Sequence, residues 1–154
     1  MKRALSVAFA ALLVVLALSL IAQARTTHGS RASTVTVIEH ATTDKVIDTG
    51  KKGDSTGDLL TWHNQVYDST DKSVVGHDQG ECIRISPKEG SWECTWITWI
   101  GSDSITVEGP YYDTKDSTLA ITGGTGAYRL ATGSMDLVAM NGGTEYAFEF
   151  TVGV

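Results

Sequence analysis

Residues 73–135 decide the fold, because SVVGHDQGECI (73–83), SITVEGPYYD (104–113) and LAITGGTGAYRLATGSM (119–135) follow one another there at the spacing of neighbouring strands. Each segment is short, rich in β-branched and aromatic residues, and bounded by Gly, Pro, Asp or Ser, which is the composition of strands joined by turns. Outward from this stretch the alternation continues. Tyr146, Phe148, Phe150 and Val152 share one face near the C-terminus, opposite Glu145, Ala147, Glu149 and Thr151, as expected of a half-buried strand. Val35, Val37 and Glu39 share a face near the start, and Ile105, Val107, Gly109 and Tyr111 do so further on. Sixteen glycines, two prolines and abundant Thr and Val point the same way, to an all-β domain.

Residues 92–100 are bulky on both faces, with Trp92, Cys94, Trp96 and Ile100 on one side and Ile97 and Trp99 on the other. A strand that is apolar on both faces needs cover on its outer side. Either a subunit contact or a loop or terminus lying over Trp99 supplies it.

The N-terminus speaks to the compartment. Lys2 and Arg3 precede an apolar run over residues 4–22, and Ala22, Gln23 and Ala24 form an A-x-A site, so residues 1–24 read as a secretory signal peptide. A nineteen-residue run is also nearly long enough to anchor in a bilayer. Residues 25–33, rich in Thr, Ser and Arg, read as a linker, and residues 34–154 as one domain, long enough for its own core and too short for two. Removing Lys2 and Arg3 leaves 10 basic residues against 18 acidic ones, a formal charge of −8. Such a surface argues against nucleic acid or anionic lipid as a partner.

Two cysteines in an exported chain read as a disulfide. Cys82 and Cys94 flank a segment whose centre, Pro87, Lys88, Glu89 and Gly90, is a turn that folds two strands into a hairpin. The cysteines then oppose each other directly, within bridging distance. The competing reading is a free reactive thiol at Cys82 or a redox pair, although the C-x-x-C spacing of such pairs is missing.

Parity along residues 61–67 puts Trp62, Asn64 and Val66 on one face. With the apolar face inward, Asn64 is a buried amide that must be paired, so it either braces a loop or meets a ligand. Arg84 shares the face of Cys82 and, inside a barrel, needs a carboxylate partner, for which Glu39 is one candidate. Glu39 itself is either an acid in a barrel mouth, its pKa raised by desolvation, or a solvated strand end. Other apparent motifs carry less. Gly123, Gly124 and Gly126 are followed by no Lys-Ser/Thr pair and read as bends or bulges at a barrel corner. The four histidines, His28, His40, His63 and His77, show no metal-ligand spacing, so no metal or other cofactor is expected, and no G-x-S-x-G elbow suggests a hydrolase. Residues 42–57 read as a long polar loop that covers a barrel mouth.

In combination, VGxxQG at 75–80, GPY at 109–111 and TGGTGxY at 122–128 resemble the allene oxide cyclase and dirigent superfamily over roughly the last 120 residues. The resemblance implies a closed antiparallel eight-stranded β-barrel that holds a small apolar or phenolic ligand and acts as an isomerase, a cyclase or a stereochemical coupling guide. It also implies a homotrimer. The alternative class is a non-catalytic extracellular ligand-binding or structural barrel. Carried over residue by residue, Asn64 and Tyr111 match pocket positions, Cys82 matches a cyclase cysteine, and the family's strand-one glutamate falls at Val37, leaving Glu39 one pleat away as a displaced acid. Trp62 joins Asn64, Tyr111 and Arg84 as a ligand-binding candidate. Tyr128 stands where dirigent proteins have Phe, and Asp78 lies within the matching VGxxQG strand.

Overall fold

The structure, a computed structural model, describes residues 32–153; the signal peptide and most of the linker read from the sequence lie outside those residues. Nine strands run in chain order: β1 (Ser33–His40), β2 (Lys45–Ile47), β3 (Leu59–Asp68), β4 (Val74–Ser86), β5 (Ser91–Ile100), β6 (Asp103–Tyr112), β7 (Ser117–Gly124), β8 (Thr132–Met140) and β9 (Glu145–Gly153). From β3 to β9 each strand pairs antiparallel with the next, and β1 closes the ring by pairing with both β9 and β3. The result is a closed eight-stranded antiparallel barrel. The ninth strand, β2, pairs with Leu59–Thr61 of β3, beyond the point where β1 leaves that strand at His40. Residues 42–57 are therefore not loop throughout, as their polar composition suggested. Their three-residue strand is exposed at every position, so it has no alternation to betray it.

Period 2 sets what faces inward. Val37, Val66, Trp96, Val107, Leu119, Met135, Phe148 and Phe150 make the core, each at most 3% exposed. At about 25 cal/mol per Å² of apolar area, burying each such side chain stabilises the fold by roughly 1.5–3 kcal/mol. Gly80 permits a close contact in the core: a Cβ there would stand 2.3 Å from the Cβ of Trp96 and 2.9 Å from the Trp62 ring. Those two indoles meet edge-on, 5.7 Å between centroids, and Phe148 packs on Trp96 at the same distance. On the outer face Trp99 is half-buried, with the His77 ring stacked on it at 4.7 Å.

The hairpin of β4 and β5 turns at Pro87–Gly90, where Gly90 has φ 62°, a conformation that costs glycine little. Its register opposes Cys82 to Cys94, and the two form a disulfide with Cα atoms 4.0 Å apart. At the far corner the β6–β7 register slips between Thr106 and Val107, opposite Ile121 and Gly123. The glycines of residues 123–126 thus serve a bulge and the short 3₁₀ turn that follows it.

Candidate active site

β1 makes its last pairs with β3 at Glu39 and His40, which places Glu39 inside the barrel at the end of a strand. It is not solvated: only 5% of the residue is exposed. Asn64, 1% exposed, donates from Nδ2 to Glu39 Oε1 at 2.6 Å and to Asp44 Oδ1 at 2.7 Å. Its Oδ1 accepts from the backbone N–H of Thr42 (3.1 Å) and Thr43 (2.9 Å) and from the Thr43 hydroxyl (3.0 Å). Both amide protons and the carbonyl are therefore engaged, and Asn64 ties residues 42–44 across the gap between β1 and β2 while fixing the Glu39 carboxyl.

Asp78 stands cross-strand from Asn64 and is wholly buried. Its Oδ2 accepts from Trp62 Nε1 at 2.6 Å. Burial raises the Asp78 pKa to about 7, against the pull of the Trp62 hydrogen bond and with the Asp44 charge adding to the rise. Burial also holds Glu39 well above the ordinary carboxyl range, and the Asp78 and Asp44 carboxylates add to it, outweighing the Asn64 hydrogen bond. Three carboxyl groups thus gather around one amide, and burial favours the protonated form of Glu39. A buried carboxyl of this kind can donate a proton where an ordinary glutamate cannot.

Glu39 opens onto a cavity of about 40 Å³, walled by Leu60, Trp62, Trp96, Leu137, Phe148 and the Cys82–Cys94 bridge, with Asp44, Tyr111 and Tyr146 also lining it. That volume exceeds the ~10–15 Å³ one water needs and falls short of the ~300–1,000 Å³ of common small-molecule pockets. A second cavity of about 250 Å³, bounded by Tyr112–Asp116 and by Ala139, Gly142 and Gly143, shares Tyr111, Leu137 and Tyr146 with the first. The two phenols meet at 3.2 Å, oxygen to oxygen, with rings edge-on at 6.3 Å. Burial, with help from the Tyr146 hydroxyl, pushes the Tyr111 phenol above its ordinary pKa, so it is neutral.

Of the residues singled out from the sequence, Glu39, Trp62 and Tyr111 line the inner cavity, and Asn64 stands behind Glu39. Arg84 does not join them. Its guanidinium binds Asp54 (Nε to Oδ1, 2.7 Å) and Asp113 (Nη1 to Oδ2, 2.6 Å) and lies 4.0 Å over the Trp92 ring. Its carboxylate partners come from two connecting segments rather than from Glu39, and it fastens residue 54 to the turn after β6. At Val37, the family's glutamate position, the side chain is core. Asp44 and Tyr146 were missed: Asp44 looked like loop, and Tyr146 sits in an alternation that marks core just as well. His40, Asp71 and Glu145, far apart in sequence, bring donor atoms within 4.8 Å of one another at the rim. His40 Nε2 is paired with Asp71 Oδ1, and Glu145 Oε2 accepts from Asn141 Nδ2.

Against known proteins the architecture has clear relatives. It superposes on a pyocyanin demethylase with a TM-score of 0.67 and 25% identity, covering 78% of this chain and 99% of that one. A pterocarpan synthase dirigent protein matches with a TM-score of 0.63 at 14% identity, over 79% of this chain and 83% of the other. An exo-specific intermolecular Diels-Alderase matches with a TM-score of 0.62 at 12% identity, over 79% and 97%. The sequence profile of the allene oxide cyclase family matches residues 31–150, and with that span covering most of its length, the chain belongs to the allene oxide cyclase family.

Proposed function

We propose that the barrel takes a small apolar or phenolic ligand through the tyrosine pair into its aromatic interior and acts on it as an isomerase or cyclase. The observation that carries this reading is a buried Glu39 held by Asn64 at the wall of a largely aromatic and aliphatic cavity. In the step we envisage, the Glu39 carboxyl gives its proton to an ether or carbonyl oxygen of the ligand as a C–O or C=C bond reorganises. The ligand then loses a proton back to the carboxylate, so atoms and oxidation state are conserved. General acid help of this kind contributes roughly 10²–10⁴ in rate. Trp62, Trp96 and Phe148 would confine the reactive conformer.

The family and the structural relatives support a small-molecule role. The Cys82–Cys94 bridge supports an oxidising, extracellular setting for the mature chain. Exposed Ile83 and Ile85 on the outer wall would suit the subunit contact of a homotrimer. The second reading, a barrel that binds without catalysis or only scaffolds, is favoured by the tight packing of Trp62, Trp96 and Phe148, which leaves the inner cavity at about 40 Å³.

Styrene oxide, a small apolar epoxide, separates the readings. Binding is followed by quenching of the cavity tryptophans, and rearrangement to phenylacetaldehyde by chromatography. The proposal expects saturable quenching and turnover, with Glu39→Gln binding within threefold of wild type while turnover falls at least a hundredfold. Binding with equal product in both proteins removes the acid role. No quenching at any concentration leaves a solid barrel.

A further inference from the structure

Three buried polar atoms have no hydrogen-bond partner within the described residues, and all three sit on the inward row of two adjacent strands: Asp78 Oδ1 on β4, and Trp96 Nε1 and Thr98 Oγ1 on β5. Asp78 and Thr98 are direct cross-strand partners, each 0% exposed, and Trp96 is two residues from Thr98 on the same face. An orphaned group at such depth costs about 1–3 kcal/mol, and these three are gathered on two neighbouring strands rather than scattered. Their chemistry is complementary rather than random. A carboxylate oxygen accepts, an indole N–H donates, and a threonine hydroxyl does either. One small group that both donates and accepts satisfies such a set: a hydroxyl. A carboxylate, an ammonium or a wholly apolar group does not.

Trp96 joins the row to the inner cavity, whose wall Asp78 and Thr98 stand behind. Trp96 lines that cavity while its Nε1 is one of the three atoms. Trp62, which also lines the cavity, holds the other oxygen of the Asp78 carboxyl at 2.6 Å and so leaves Oδ1 as the free acceptor. Resting on the ligand-holding reading above, we infer that Asp78, Thr98 and Trp96 form a hydroxyl-recognising subsite, which selects apolar ligands that carry one alcohol or phenol group. Water supplies the same chemistry, so the test separates the two sources.

The probes are 4-ethylphenol and 4-ethyltoluene, which differ by a hydroxyl for a methyl, titrated by tryptophan fluorescence into wild type, Thr98→Val and Asp78→Asn. Thr98→Val keeps the side-chain shape and is the safer variant for folding. The inference expects Thr98→Val to weaken 4-ethylphenol at least tenfold while changing 4-ethyltoluene less than twofold; Asp78→Asn shows the same selectivity. Unchanged phenol affinity in Thr98→Val overturns it. In that event a lowered melting temperature of the ligand-free variant assigns the atoms to a structural water, and a raised one to plain orphans. If styrene oxide binds but neither ethyl probe does, the subsite alone falls. If all three fail, the ligand-holding barrel falls with it.

Discussion

Asp78 offers the sharpest test of the buried acid cluster, because its charge is forced into the barrel interior by the pairing of β4 between β3 and β5. In an unfolded chain this carboxyl loses its proton near 3.8; in the barrel it keeps it to about 7. Between those values the folded state binds more protons than the unfolded one, so stability falls as pH rises from about 4 to about 7 and then levels. Three pH units at 1.36 kcal/mol each amount to about 4 kcal/mol, a large share of the ~5–15 kcal/mol that holds a domain together. Glu39, raised in the same direction, deepens the fall. Asp58 and Asp68, both held below the ordinary range by local hydrogen bonds, act in a separate window, and their contribution is lost only as pH drops below about 4. Replacing Asp78 with Asn leaves an amide oxygen for Trp62 Nε1 and removes the charge. Urea unfolding at pH 4.5, 6 and 8, read by tryptophan fluorescence, should find the variant close to wild type at pH 4.5 and several kcal/mol more stable at pH 8. A wild-type stability that is flat from pH 4.5 to 8, or a variant no better than wild type at pH 8, refutes the reasoning.

Two further outcomes test the packing. Replacing both Cys82 and Cys94 with Ala should remove about 3 kcal/mol from the closure of a 13-residue loop, seen as a melting temperature lower by roughly 10–20 °C; a loss under 1 kcal/mol would mean the hairpin needs no bridge. Gly80→Ala sets a methyl within 2.9 Å of both Trp62 and Trp96, so it should cost about 1–3 kcal/mol and weaken binding of styrene oxide. An unaltered melting curve would show that these indoles have room to spare.

Much of the barrel was legible because period 2 is local: Tyr146 to Val152 announces its inward face without reference to anything else. The hairpin at Cys82 and Cys94 was legible for the same reason, its turn residues lying between its strands. What parity cannot say is where along the wall an inward residue ends up. Glu39 could therefore be placed on the inner face but not distinguished as buried or solvated, since that depends on Asn64 and residues 42–44 closing the gap beside it. The partners of Arg84 were hidden by the paths of two connections, which bring in Asp54 and Asp113 from about 30 positions away on either side. Asp78 shared the inward parity of Cys82 all along. Its importance came into view only with Trp62 and Thr98 on the neighbouring strands.

The ring closure has a consequence for how the molecule comes into being. β1 is the first barrel strand made, yet it is held between β3 and β9, and its whole length pairs with the last strand. Strands β3 to β8 can assemble one hairpin at a time as the chain emerges, from contacts that are short in sequence. β1 can pair with β3 early, but its seam with β9 must wait for contacts spanning more than 100 residues, the kind that form slowly. Glu39 rides on that waiting strand. A chain still being synthesised thus carries a meander with an unfinished seam: Glu39 can meet Asn64 across 25 residues, but the strand that bears it keeps an open edge until the final strand arrives.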